Sequence, residues 1–465
     1  MRPARPRARA FDAAVCLLLL FMPFWMGAIG GYTELATRII VMGLAAMSLN
    51  FLLGFTGVLS FGHAAYFGLG AYGAAMAIKY LDAGTLPAIG LGVVVATFAA
   101  MAIGALIVRR RGVYFAMVTI AFGQVFYFLA FRWNAVTGGD DGLTGWHRLP
   151  INFGFATLDI FGNDKAFYYF ALAVFAVSVA AMAKLIDSPF GRSLTAIREN
   201  ERRARFLGVP VEFHIWLSFV ISCLFVSVAG ALYALLNNYH GGPGRHAFLL
   251  GPADRRGDLR RAAGLRLQPH GELDVGHRSR IRAGRSFLSA RSPGDVARRS
   301  QGVTLLQVDG ASKRFGSLVA IDDVSLTIEP GELRAIIGPN GAGKTTFFNL
   351  VSGLLAPTAG AIKFVGRDIT ALPPEERVRR GMARTFQITE IFPELSVANN
   401  IRVAVEIAAG YRLRPWLGAQ ARAAVSARVA ELLDMGGLAD KSDVRAGALS
   451  HGDQRAAEIM MSLAL

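Results

Sequence analysis

Apolar residues crowd into the first 237 positions of the chain, in runs long enough to cross the hydrocarbon core of a bilayer. The runs at 13–30, 39–53, 64–80, 86–108, 113–131, 166–186 and 214–236 predict seven spans. Polar breaks between them carry the charge. Arg109, Arg110 and Arg111 stand between the fourth and fifth runs, and "SPFGRSLTAIRENERRARFLGVPVEFH" stands between the sixth and seventh. Cationic loops stay on the cytosolic side. With the N-terminus inside, both of these loops fall there, loop 132–165 falls outside, and so does residue 240. The opening "MRPARPRARAFDAAVCLLLLFMPFWMGAIG" resembles a secretory signal, but its core is long and no A-x-A site follows. It reads as an uncleaved first span.

Two polar features interrupt this pattern. The stretch "GFTGVLSFGHAAYFGLGAY" (54–72) repeats glycine every few residues, which permits close helix packing or a broken helix. His63 and Asn50 beside it are functional candidates as intramembrane polar groups. The plainer reading is a hydrogen bond between helices. The loop 187–213 alternates Phe190, Leu194 and Ile197 with Arg198, Glu199, Glu201, Arg202, Arg203 and Arg205. That predicts a short amphipathic helix on the cytosolic face, or simply a solvated cationic loop.

From about 303 the periodicity becomes that of a soluble α/β fold. "LLQVDGASKRF" and "VAIDDVSLTIEP" predict two strands, and "GELRAIIGPNGAGKTTFFNLVSGLL" predicts strand, loop and helix. The last contains G-x-x-x-x-G-K-T in the context that makes a phosphate-binding loop. Gly338, Pro339, Asn340, Gly341, Ala342, Gly343, Lys344, Thr345 and Thr346 form it. Glycines let backbone N–H groups turn toward phosphate oxygens, and the helix N-terminus adds positive potential. Lys344 supplies a cation for the β- and γ-phosphates, and the Thr345 hydroxyl a ligand for Mg²⁺.

The chain has 465 residues, 53 % of them hydrophobic, and a net charge of +16. Much of that charge lies between membrane runs, so it predicts topology and not nucleic-acid binding. Only Cys16 and Cys223 are present, both inside apolar runs, which predicts buried thiols without a disulfide framework. Three domains follow: a membrane domain at 1–240, an atypical stretch at 241–302, and a nucleotide-binding domain at 303–465. The middle stretch is rich in arginine and lacks lysine and any apolar periodicity. It reads as a natural linker, a nucleic-acid arm, or the product of a GC-rich gene read out of frame.

"GFTGVLSFGHAAYFGLGAY", "RGVYFAMVTIAFGQVFYF", "GGDDGLTG" and "SPFGRSLTAIRENERRARFLGV" resemble, in this order, the inner-membrane permease of branched-chain amino acid ABC importers. The resemblance implies that 188–208 is the coupling helix that docks on an ATPase, and that further apolar segments should replace 241–302. In the second half, "SKRFG", "ARTFQ" and "LSHGDQR" stand around the phosphate loop in the order of ABC ATPases. Phe315 is then the adenine-stacking ring, and Gln387 the residue that meets Mg²⁺ and relays to the permease. Ser450 and Gly452 belong to a signature that faces a partner's ATP, with His451 and Asp453 departing from the commonest pattern.

The expected fold is therefore multi-domain: an α-helical polytopic membrane domain followed by a truncated α/β P-loop (ABC-type) nucleotide-binding domain. The resemblance places the Walker B Asp and the catalytic Glu after "DQRAAEIMMSLAL", where no residues remain, so no catalytic residue is assigned. It implies ATP and Mg²⁺ as ligands and a multi-pass place in the inner membrane with the ATP-binding half cytoplasmic, which takes one more crossing than the seven runs give. It also implies three partners besides lipid: a second permease subunit, an ABC ATPase subunit and an extracytoplasmic substrate-binding protein. The substrate expectation is a branched-chain or related amino acid, with urea and amides as neighbours. The rival expectations are a non-functional fusion that binds ATP without transport, and a passive channel carrying a nucleotide sensor.

Overall fold

The computed structural model describes residues 14–237 and 304–465, apart from 29, 140–141, 147–148, 153–156 and 159–162. The 241–302 stretch lies outside the described residues. The chain divides into two compact units. One contains the described residues of 14–184 with 215–237. The other contains 185–214 with 304–465.

The first unit is helical. In chain order its helices are α1 (Met22–Ala28), α2 (Thr33–Thr56), α3 (His63–Leu81), α4 (Thr85–Ile107), α5 (Val113–Arg132) and α6 (Asp164–Ile186). Most of Val211–Asn237, a helix taken up below as α9, completes it. A short antiparallel pair, β1 (Ile151–Asn152) with β2 (Thr157–Leu158), lies in the 132–165 loop. Among the described residues, five helices are long and apolar enough to cross a membrane: α2, α4, α5, α6 and Val211–Asn237. The expected seven runs are all helical, but two fall short. In the first, helical residues 14–20 and α1 are separated by a turn at Phe21, so neither piece alone spans a bilayer. In α3, glycines, His63 and Lys79 dilute the apolar content.

The glycine-rich stretch does break the helix. Gly57 takes a left-handed conformation (φ 75°) and closes α2 through its N–H to Leu53 O, and α3 starts again at His63. Small residues also bring backbones together. A Cβ on Gly70 would lie 2.2 Å from Ser227 O, and one on Gly230 would lie 1.9 Å from Phe67 O. Only glycine permits that approach. Cys223 is buried in this packing, whereas Cys16 is exposed. The expectation of two buried thiols fails at Cys16 because its neighbours Leu17, Leu18, Phe21 and Phe24 also face outward, 53–60 % exposed, as a lipid-facing surface does.

The second unit starts with the inter-helical loop: α7 (Pro189–Glu199), α8 (Glu201–Phe206) and the first turn of α9 (Val211–Asn237). It continues with β3 (Leu306–Phe315), β4 (Leu318–Ile328), α10 (Lys344–Val351), β5 (Ala359–Phe364), β6 (Arg367–Asp368), α11 (Pro374–Arg379), α12 (Val397–Ala408), α13 (Ala419–Met435) and α14 (His451–Leu463). The sheet order is β4-β3-β5-β6, antiparallel throughout. Leu306, Val308, Ile321, Leu350 and Ile362 pack between this sheet and α10. The expected strands at the start of the domain are β3 and β4. The strand expected ahead of the phosphate loop is not formed: Glu332–Pro339 has no regular structure, and Leu333 and Ile337 are 84 % and 92 % exposed. Among the described residues no backbone hydrogen bond reaches 333–337. A strand exists only through its ladder partners, and here the run has none.

Candidate functional site

The phosphate loop keeps its local geometry although the strand before it is open. Gly341 (φ 88°) and Gly343 (φ 79°) adopt the left-handed backbone that L side chains avoid, and Gly343 caps α10. A Cβ at Gly343 would lie 2.5 Å from Ala320 O, so the glycine also holds the loop against β4. Lys344 Nζ donates to the carbonyls of Gly338 and Pro339, at 2.6 Å each. The ammonium is thus curled over its own loop, within reach of anything that loop encloses. Gly338, Pro339, Asn340, Gly341, Ala342 and Thr345 are exposed, and Thr346 is half-buried.

Phe315 ends β3, 46 % exposed, with the Lys313 ammonium 5.3 Å from its ring centre. Gln387 is exposed and follows the buried Phe386. Ser450 caps α14: its hydroxyl accepts from the Asp453 N–H (3.2 Å) and donates to the Asp453 carboxylate (2.8 Å). That carboxylate also meets Lys441 at 2.9 Å. Both partners hold the Asp453 carboxyl below its usual range, Lys441 most. Gly452 is exposed in the first turn. These residues fit a nucleotide's phosphates through Lys344, backbone N–H groups and α10. For Mg²⁺ they offer the neutral oxygens of Thr345 and Gln387. No cluster of three or more His, Cys, Asp or Glu suited to a metal exists among the described residues.

The loop 185–214 packs against α12, α14 and the 384–394 segment of its own chain. Ser188 caps α7 by accepting from the Gly191 N–H, and Pro189 starts the helix where a missing N–H costs nothing. Asn200 ends α7 and caps α8 through the Arg203 N–H. This double cap turns the loop so that both helices bury one side. Arg192 makes a two-pronged pair with Glu406 of α12, Nε to Oε2 at 2.9 Å and Nη2 to Oε1 at 2.6 Å. Glu199 accepts from the Glu394 N–H at 2.9 Å. Phe206 meets Phe386 edge to face, 4.8 Å between centroids, and Arg202 lies over the Phe386 ring while pairing with Glu390 at 3.5 Å.

Arg203 goes deepest. It is fully buried, as is Glu458 of α14. The amphipathic pattern of 187–213 pointed to the docking helix, but Arg192, Arg203, Glu406 and Glu458 were not singled out by partner. One signal existed for Glu458: it lies on the helical face of Ala457 and Met461, a charge among apolar neighbours. In the membrane unit, His63 resolves to the plainer reading. Ser222 Oγ donates to Ser48 O (2.5 Å), so it accepts from His63 Nε2 (2.8 Å), and His63 Nδ1 lies 2.9 Å from Ser60 Oγ. An imidazole with both nitrogens partnered ties α3 to α9 and, through Ser222, to α2.

The architecture defines a helical membrane domain joined to a P-loop ATP-binding domain. Residues 31–240 match the family described as the permease component of the branched-chain amino acid transport system, and residues 321–465 match the ABC transporter family. The chain therefore carries a permease domain of the first family fused to an ATPase domain of the second. Over 161 residues it is 37 % identical to the high-affinity branched-chain amino acid transport ATP-binding protein BraF of Pseudomonas aeruginosa. It is equally similar to LivG of Escherichia coli, which bears the same description. Each match covers 33 % of this chain and 63 % of the relative. The sulfate/thiosulfate import ATP-binding protein CysA 2 of Chromobacterium violaceum is 39 % identical over 159 residues, covering 34 % of this chain and 40 % of its own length. A solved ATP-binding cassette of an ABC transporter is 31 % identical, covering 35 % of this chain and 65 % of that one, with a TM-score of 0.30. The chain thus spans less than two thirds of the curated relatives it matches.

Proposed function

We propose that this chain is a membrane permease and ATP-binding component of an ABC importer for branched-chain or related amino acids. The observation that carries this reading is the docking of loop 185–214, which belongs to the permease family's match, onto the ATP-binding domain of the same chain. In this reading 188–208 is the coupling helix. The P-loop residues and Phe315 hold ATP, Thr345 and Gln387 approach its Mg²⁺, and Ser450 and Gly452 face a second nucleotide across an ATPase pair. A second permease, a further ATPase subunit and an external binding protein complete the system, with the ATP-binding half in the cytoplasm. Bound nucleotide supplies the energy through hydrolysis, and the chain's own residues position phosphates and transmit the resulting movement.

A second reading, ATP binding without transport, draws support from the open 333–337 run. The deciding experiment is uptake of labelled leucine into vesicles holding the chain with the three partners, with and without ATP. ATP-dependent uptake that needs this chain supports the first reading. Nucleotide binding without uptake supports the second, and uptake independent of ATP would establish a passive channel instead.

A further inference from the structure

One guanidinium of loop 185–214 touches both the segment that leads to Gln387 and the helix that follows Ser450. Arg203 Nη1 lies 3.4 Å from the Arg384 carbonyl and 3.9 Å from Glu458 Oε1. Its Nη2 lies 3.3 Å from the Glu458 carbonyl and 3.5 Å from Ser462 Oγ, both on α14, the helix that begins at the signature Ser450. Each of these contacts leads on to a nucleotide residue. The Arg384 side chain donates to Phe348 O (3.2 Å), Asn349 Oδ1 (2.8 Å) and Ser352 Oγ (2.7 Å), at the C-terminal end of the P-loop helix α10. A cation there also complements the helix dipole. Glu458 Oε1 accepts from the Phe386 N–H at 2.9 Å, and Glu458 Oε2 pairs with Arg455 at 2.6 Å. Arg455 donates to the Phe386 carbonyl as well. The peptide just before Gln387 is therefore gripped from both sides by α14.

Every contact of the guanidinium is at or beyond the long end of hydrogen-bond distance, and its Nε has no partner. A fully buried charge held this loosely gains a great deal from small shifts that shorten its contacts. It meets two elements directly, the 384–387 segment and α14, and reaches the end of α10 through the Arg384 side chain. Arg192 offers an internal contrast. It holds the same loop tightly, but onto α12, which carries no candidate nucleotide residue.

We infer that Arg203 is a positioning residue: from the docked loop, it sets the relative placement of the P-loop helix, the Phe386–Gln387 peptide and the signature helix, and so ties nucleotide affinity to docking. This rests on the reading of 185–214 as a coupling loop. The link differs from docking in general, because loosening the loop elsewhere should leave Gln387 in place. A chain in which Arg203 is lost should hold nucleotide less well although every nucleotide-contacting residue is intact.

The test uses the full chain in lipid nanodiscs, a fluorescent ATP analogue with Mg²⁺, and peptide-level hydrogen exchange. Arg203→Met should weaken binding on the order of tenfold, in the range of measured coupling between sites. It should also raise exchange in 384–388, 451–463 and 344–352 together. Arg192→Gln should raise exchange in 189–199 and 397–408, with a smaller loss of affinity and no change in 384–388. Arg203→Lys keeps the charge but cannot reach all of the carbonyls and Ser462 at once, so it should fall between parent and Arg203→Met. The same exchange pattern in the Arg203 and Arg192 variants, or unchanged affinity in Arg203→Met, would overturn the inference. So would global unfolding of both Arg203 variants, which would make the residue purely structural. None of these readouts requires transport, so failure of the uptake experiment and failure of this link are told apart.

Discussion

The loop 185–214 and the run 333–337 both carry strong local signals, and only one of them reaches a packed state. The loop holds capping residues Ser188 and Asn200, an apolar stripe and a row of arginines. In the structure its stripe is buried and Arg192, Arg202 and Arg203 meet Glu406, Glu390 and Glu458. The run 333–337 is apolar except for Arg334, yet its backbone is unpaired among the described residues and two of its side chains are almost wholly exposed. Capped helices form from neighbours along the chain and need only a surface to receive them. A parallel strand is a non-local object: it exists only when distant segments supply ladders on its sides. The described residues contain a receiving surface for the loop and no partner for the run.

The sharpest way to break this comparison is at the phosphate loop, which stands at its border. Its glycine turns and α10 are formed by local rules, while the strand that should support it is open. If local geometry suffices, the full chain binds ATP. Lys344→Ala should then lower affinity roughly tenfold to over a hundredfold, since a hydrogen bond from a charged group is worth ~1.5–3 kcal/mol and Lys344 offers several. A fluorescent ATP analogue titrated against the purified chain measures it. Equal, weak binding by parent and variant would mean that the loop depends on the missing ladder. The same preparation should hydrolyse ATP no faster than Lys344→Ala does, because binding groups that treat ground and transition states alike give affinity without turnover.

Next in size is the docking pair. Glu406 is 2 % exposed, and Arg192→Ala would leave its carboxylate without its two-pronged partner. Removing one member of a buried pair costs ~3–5 kcal/mol, and Arg192 is a quarter exposed, so about 2–3 kcal/mol is expected here. Thermal unfolding of the second unit, followed by exchange or limited proteolysis in the intact chain, reads the loss. A change below about 0.5 kcal/mol would show that the loop does not rest on this domain in solution.

Much of this was legible from residue patterns, and the remainder failed for stated physical reasons. Helix positions in the membrane half follow hydropathy, since every backbone group in lipid must be satisfied within its own helix. The strands β3 and β4 and the helix after the phosphate loop followed from local periodicity; their antiparallel pairing did not. The glycines of 54–72 announced close packing, and His63 its interhelical bonds. What could not be read was contact between residues 255 apart, as in Arg203 and Glu458. Nor could the open state of 333–337 be read, because an apolar run looks the same whether or not its neighbours arrive. The exposure of Cys16 was hidden for a similar reason: an apolar stretch does not say which of its faces meets lipid and which meets protein.

A smaller effect tests how well the docked surface is matched electrostatically. Burial raises the Glu390 carboxyl above its usual range; Arg202 and Arg203 pull it back, Glu458 opposes them, and Arg384 helps. One Glu390 oxygen has no hydrogen-bond partner. A raised folded-state value means that the group favours the folded state below the unfolded value near 4.5, and that this contribution is lost as pH rises through the raised value. At neutral pH the charged carboxylate is then a mild liability. Glu390→Gln should be as stable as the parent or more so at pH 7, and that advantage should shrink as pH falls toward 4. A flat difference between the two melting curves across that window would mean that Glu390 is solvated, and that the surface is looser than the distances imply.

The smallest expected effect bears most directly on the open run. Ile337 is 92 % exposed, so replacing it with a charged residue removes no buried contact. Substitutions at such positions usually change stability by no more than about 0.5 kcal/mol. In a formed central strand the same change would bury a carboxylate between apolar neighbours, and several kcal/mol would follow. Ile337→Asp therefore separates the two states of this segment without any ligand or partner. Unchanged melting of the full chain, with unchanged exchange in β3 and β5, is the expected result. A large loss of stability would show that Leu333–Ile337 pairs in solution, and the contrast between a docked loop and an open strand would then fail on the strand's side.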